Sequence, residues 1–94
     1  MSTARLSGTF TADGTSAELY LFRHFNLSVQ GTFVATVNIQ RSFDDGATWE
    51  TTDSVTTKVS TVGFEPEKGV KYRLSCSGYT SGSVEYRIGG NGIS

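Results

Sequence analysis

Apolar and polar side chains alternate along most of this chain with a period of two residues, the period of a β-strand that buries one face. The alternating runs cover residues 25–29, 33–39, 55–61, 70–76 and 84–88, and they are rich in Val, Ile, Thr, Tyr and Phe. Such residues suit a half-buried pleated surface. No stretch has the spacing of an amphipathic helix, so the pattern predicts an all-β chain without significant helix.

Turn signals fall between the runs: Asp13-Gly14, Gln30-Gly31, Asp44-Asp45-Gly46, Glu67-Lys68-Gly69 and Thr80-Ser81-Gly82. A further, weaker strand is expected around residues 5–11. Strands separated by short turns predict antiparallel pairing. We therefore expect residues 1–94 to form a single antiparallel β-sandwich of seven to eight strands, jelly-roll or immunoglobulin-like. Residues 89–94 have little apolar content, and we expect a tail that is flexible or ordered by a partner.

Composition excludes several classes of function. A formal net charge of −1 over 94 residues argues against binding to nucleic acid. No apolar run approaches the length of about 18 residues that a membrane-spanning helix needs. Cys76 is the only cysteine, so an intramolecular disulfide is impossible. It shares the apolar side of its strand and is expected to be an inert core residue.

The most specific local motif has the form S-x-D-x-G-x-T-W and consists of Ser42, Asp44, Gly46, Thr48 and Trp49. It resembles the Asp-box of sialidase-type propellers, where the motif is a structural turn. Asp44 is placed to accept hydrogen bonds from backbone N–H groups of the turn, and Gly46 supplies a positive φ. Trp49 is expected to fold back over the hairpin. We interpret the five residues as a structural hairpin.

Other chemistry has weaker support. Asp44, Asp45, Glu50 and Asp53 lie close in sequence but lack the ligand spacing of a calcium loop. His24 is the only histidine, and no nucleophile, zinc or phosphate-binding motif accompanies it. We expect no catalytic site, no metal, no cofactor and no enzymatic activity. Six aromatic residues include possible surface rings for a sugar or a protein partner: Tyr20, Phe22, Phe43, Trp49, Phe64 and Tyr79.

The order of the segments resembles the short β-rich structural proteins of tailed bacteriophages and prophages. The resemblance covers roughly residues 16–88, from the strands at 25–37 through the hairpin at 40–49 to the strands at 69–74 and 79–88. It implies a framework and carries over no functional residues. It also implies a component of the virion, made in the host cytoplasm, and above all a decoration or cement protein on the outer capsid surface.

The expected partners are then the major capsid protein or other virion proteins, with self-association by symmetry. Many equivalent sites on a shell allow modest individual contacts to suffice. Two alternatives remain open at this point. In the first alternative, the protein is a component of the tail or the head–tail junction. In the second, it is a glycan-binding module for host attachment.

Overall fold

The structure is a computed structural model that describes residues 3–91. Within this range the chain forms seven β-strands and no helix: β1 Thr3–Phe10, β2 Gly14–Thr15, β3 Leu19–Gln30, β4 Phe33–Ser42, β5 Glu50–Val55, β6 Val59–Gly82 and β7 Val84–Asn91. All strand pairs are antiparallel. The prediction of an all-β chain with seven to eight antiparallel strands and no significant helix is confirmed.

The strands form one hydrogen-bonded sheet in the order β1-β7-β3-β6-β4-β5, and β2 also pairs with β6. The sheet has two halves. One contains β1, β7, most of β3 and the first half of β6, and the other contains β2, β4, β5 and the second half of β6. The long strands β3 and β6 therefore belong to both halves. The first half of β6, residues 59–65, pairs with residues 23–29 of β3, whereas the second half, from Val70 onward, pairs with β4 and with Leu19–Leu21. The register shifts between Leu21 and Arg23, where Arg23 has a φ of 67°. The pairing of β3 with β6 thus continues across the shift, and each strand gains a second partner on one side of it: β7 for β3 and β4 for β6.

The inward side chains of both halves meet in one hydrophobic core: Phe10, Leu21, Leu27, Val29, Ala35, Val37, Ile39, Val70, Tyr72, Leu74, Cys76, Val84 and Ile88. These residues occupy alternate positions of their strands, so the period of two correctly placed the buried face. A contact between the rings of Phe25 and Tyr72, with centroids 5.0 Å apart, joins the two halves. Because the seven strands share one continuous sheet, the jelly-roll or immunoglobulin-like sandwich stays a prediction.

The tail predicted for residues 89–94 overlaps the last strand, β7. Gly89, Gly90 and Asn91 are the last residues of β7 and pair with both β1 and β3. A Cβ atom on Gly90 would lie 2.7 Å from the carbonyl oxygen of His24, so glycine allows the close backbone approach here. The prediction was wrong for residues 89–91 because backbone pairing, rather than apolar content, orders them. Residues 92–94 lie outside the described residues.

The run at 55–61 was predicted as one strand and is divided in the structure. β5 ends at Val55 and β6 begins at Val59, with a bend between them. The chain turns there because Val55 pairs with Val37 in one half of the sheet while Val59 pairs with Val29 in the other. Alternating Thr and Val residues do not reveal this change of partner.

Candidate functional site

An open groove separates β5 from the first half of β6. β5 is the last strand in the sheet order, and residues 59–65 of β6 pair only with β3 within the described part of the chain. The two free strand edges face each other across a cavity of about 280 Å³. Thr52 and Asp53 line one wall, and residues 61–64 line the other.

The floor of the groove consists of inward side chains: Phe25, Leu27, Ile39, Arg41 and Tyr72. Arg41 is part of the floor because β4 alternates, so the pattern that buries Val37 and Ile39 also turns Arg41 inward. Arg41 and Tyr72 are opposite each other in the ladder between β4 and β6. A cation in an otherwise apolar floor needs a compensating group.

Glu65 supplies that compensation, and only 1% of its side chain is exposed. Its Oε1 accepts a hydrogen bond of 2.6 Å from the Tyr72 hydroxyl and one of 3.1 Å from Arg41 Nη1. Its Oε2 accepts a hydrogen bond of 3.1 Å from the backbone N–H of Glu67. Burial and then the hydrogen bond to Glu65 raise the pKa of Tyr72 to about 12. The phenol is therefore a donor at neutral pH, and the network holds β6 where it crosses between the two halves of the sheet.

One donor of this network remains without an acceptor. The Nε–H of Arg41 is buried and makes no hydrogen bond within residues 3–91. The Arg41 side chain is 32% exposed, and its guanidinium group lies 4.8 Å from the centroid of the Phe43 ring. A buried donor without a partner is unusual in a native protein. The groove thus contains an unsatisfied charged donor beside an apolar floor.

The outer face of the same edge is apolar as well. Val62 is 76% exposed and Phe64 is 55% exposed. The Phe64 ring contacts the ring of His24, with centroids 4.9 Å apart, on the neighbouring strand β3. His24 is exposed, as expected for a surface histidine. Exposed apolar side chains on a free strand edge are typical of a protein-binding surface.

The structural hairpin follows directly on β4, since Ser42 is the last residue of that strand. The Ser42 hydroxyl donates to Asp44 Oδ1 and accepts a hydrogen bond of 2.8 Å from the Gly46 N–H. The backbone N–H and the hydroxyl of Thr48 both donate to the Asp44 carboxylate, at 2.9 and 2.5 Å. These bonds, led by the Thr48 hydroxyl, lower the pKa of Asp44 to about 2. Gly46 has a φ of 96°, and Asp45 before it has a φ of 60°.

Trp49 folds over this turn, since a Cβ atom on Gly46 would lie 3.7 Å from the indole ring. The guanidinium group of Arg73 lies 4.2 Å from the centroid of the Trp49 ring. Nearby, Tyr20 donates to Asp45, and Lys71 pairs with Glu18 at 3.2 Å and with Asp45 at 3.4 Å. These charged and aromatic groups satisfy one another, so the geometry supports a structural role for the hairpin.

The remaining candidates stay apart. No group of three or more His, Cys, Asp or Glu side chains within the described residues is placed to hold a metal ion. Cys76 is buried, and burial raises the pKa of its thiol. Tyr79 donates its hydroxyl to the carbonyl oxygen of Gly82 at 2.6 Å, near the end of β6. No helix of residues 3–91 has the length and apolar character to cross a membrane.

Sequence reasoning missed the groove and two of its main residues, Glu65 and Val62. Glu65 precedes Pro66 in a polar segment that reads as a solvated loop. Arg41 carried a usable signal, because it continues the inward phase of Phe33, Ala35, Val37 and Ile39. The fold and the groove together define a class: an all-β domain with an open strand edge. No family model matches the chain, and neither the curated proteins nor the solved structures contain a match.

Proposed function

We propose that this protein is a non-enzymatic structural component of a phage particle, a decoration or cement protein that binds the outer surface of the capsid. One observation supports a binding role above all others: no strand of residues 3–91 covers the outer edge of the first half of β6, where Val62 and Phe64 are exposed. The assignment to a phage particle rests on the resemblance of the segment order. The proposed partner is the major capsid protein.

A small domain suits this role. The described chain measures 38 × 24 × 17 Å, so many copies fit on a shell without crowding. Its formal net charge of −1 keeps the electrostatic repulsion between neighbouring copies small. Repetition on a symmetric surface multiplies contacts that are individually weak. Binding to the folded state also raises the apparent stability of the domain.

The test is co-sedimentation of the purified protein with expanded empty heads of the phage whose genome encodes it, followed by imaging of the particles. We expect saturable, stoichiometric binding, density on the outer shell, and a higher melting temperature on the particle than in isolation. Density at the tail or the head–tail junction would replace the decoration role by the alternative virion role. Absence of binding to any particle would refute the virion assignment and return attention to glycans or other protein partners.

A further inference from the structure

We propose that the groove between β5 and the first half of β6 receives an extended segment of the partner protein as an added strand. The proposed segment places a large apolar side chain in the cavity and a carboxylate next to Arg41. This inference rests on the proposed function, because it names the surface and the chemistry with which the protein binds the capsid. Addition of a strand to a free sheet edge is a common mode of peptide recognition.

Residues 59–64 of the free edge lack the features that protect exposed edges in other proteins, and the inward charge of Glu65 and the proline Pro66 come only at its end. Natural edge strands carry lysine, proline, bulges or inward charges that prevent pairing with another chain. Residues 59–64 read Val-Ser-Thr-Val-Gly-Phe and contain neither a charge nor a proline. By contrast, β5 across the groove carries Glu50 and Asp53. An unprotected apolar edge is expected to be covered when the protein functions.

The dimensions fit an extended segment. Residues 59–65 span about 20–23 Å at roughly 3.3 Å per residue, so six or seven partner residues match the edge. The cavity of about 280 Å³ lies below the range of roughly 300–1,000 Å³ that small-molecule pockets occupy. Its floor of Phe25, Leu27 and Ile39 is apolar, and Thr61 in its wall is too small to fill it. A large apolar side chain therefore complements the space.

Charge complementarity selects the second feature of the segment. The Arg41 side chain is 32% exposed beside the groove, and a carboxylate is the acceptor that best complements the accessible part of a guanidinium group. A second copy of this chain does not supply one through its own edge, because the only acid of residues 59–65 is Glu65. That side chain is buried and engaged with Arg41 and Tyr72 of its own copy. Edge-to-edge pairing with a second copy therefore brings no new carboxylate to Arg41, which favours a segment of another protein as the occupant.

Three variants test the proposal on the intact protein. Thr61→Phe fills the cavity from its wall, and Val62→Lys adds a charge to the edge. Arg41→Lys retains a cation that can pair with Glu65 but lacks the planar guanidinium group that binds a carboxylate through two donors. The matched control is Val34→Lys, since Val34 is 57% exposed and lies on β4 away from the groove. Circular dichroism and thermal melting establish that each variant is folded before binding is compared.

We expect Thr61→Phe and Val62→Lys to weaken binding to empty heads about tenfold or more, as the loss of a central contact does. We expect Arg41→Lys to weaken binding and Val34→Lys to bind as the wild type does. Hydrogen exchange of the bound wild-type protein should show new protection of the amides of residues 59–65. If a variant does not fold, the hydrogen-exchange measurement on the wild-type protein tests the proposal in its place, because it needs no substitution.

The outcomes separate the two proposals. If the wild type binds heads while the groove variants bind equally well, or residues 59–65 gain no protection, the groove inference is wrong and the proposed function stands. If the wild type does not bind heads, both proposals fail. If Arg41→Lys binds normally, the carboxylate contact is wrong. A wild-type dimer in solution that Val62→Lys dissociates would identify a second copy as the occupant and overturn the inference.

Discussion

Replacement of Glu65 by alanine should be among the most destabilising single changes in this protein. The substitution removes the acceptor of three donors: the Tyr72 hydroxyl, Arg41 Nη1 and the Glu67 N–H. Tyr72 is buried and Arg41 is two-thirds buried, so water replaces the lost contacts poorly. The loss of stability comes from the donors that remain buried without an acceptor. The intact ion pair itself contributes little compared with an apolar pair of the same shape.

The size of the effect follows from the geometry. Removing one member of a buried ion pair costs about 3–5 kcal/mol, and the partial exposure of Arg41 places Glu65→Ala near the lower limit, at about 3 kcal/mol. For a domain of this length, each kcal/mol lowers the melting temperature by about 4–8 °C. We therefore expect a fall of roughly 12–24 °C. Glu65→Gln keeps an acceptor for Tyr72 and should cost less, about 1–3 kcal/mol.

Urea unfolding followed by tryptophan fluorescence measures the free energy of unfolding. Glu67→Ala is the matched control, because Glu67 is exposed and lies two residues along the same strand. Its free energy of unfolding should stay within about 0.5 kcal/mol of the wild-type value. The reasoning is refuted if Glu65→Ala costs no more than Glu67→Ala while the slope of the unfolding transition is unchanged.

Three further predictions concern other parts of the fold. Gly90→Ala should destabilise the protein by about 1–3 kcal/mol, because the new Cβ would press on the backbone of β3. Gly14→Ala is the control, since open space surrounds Gly14, and it should change the free energy of unfolding little. Equal effects of the two substitutions in urea unfolding would contradict the pairing of β7. Because the pKa of Asp44 is lowered, the stability that its carboxylate contributes is complete above pH 3.8, the ordinary pKa, and is lost as the pH falls to about 2. Asp44→Asn should remove this part of the acid-unfolding profile. An unchanged profile would contradict the prediction. Cys76 should react with a thiol reagent only at the rate of unfolding, and fast labelling in native buffer would show that it is accessible.

The sequence by itself determined the class of fold and the local turn chemistry. Alternation alone placed Leu27, Val37 and Leu74 on the buried face, because a strand turns each second side chain to the same side. The hydrogen bonds of the Asp44 hairpin depend on residues within four positions of one another. Local geometry of this kind can be predicted from residue order, since no distant part of the chain is needed to create it.

The tertiary structure decided which strands pair and where, among residues 3–91, an edge remains free. Glu65 is a buried acid only because β4 brings Arg41 beside Tyr72. Arg41 lies 24 positions before Glu65 in the chain. Likewise, Val59 and Val55 belong to different halves of the sheet, although they are four residues apart. The groove between β5 and β6 follows from this separation. Strand partners are chosen by contacts between distant segments, so the groove could not be predicted from the alternation that predicted the strands themselves.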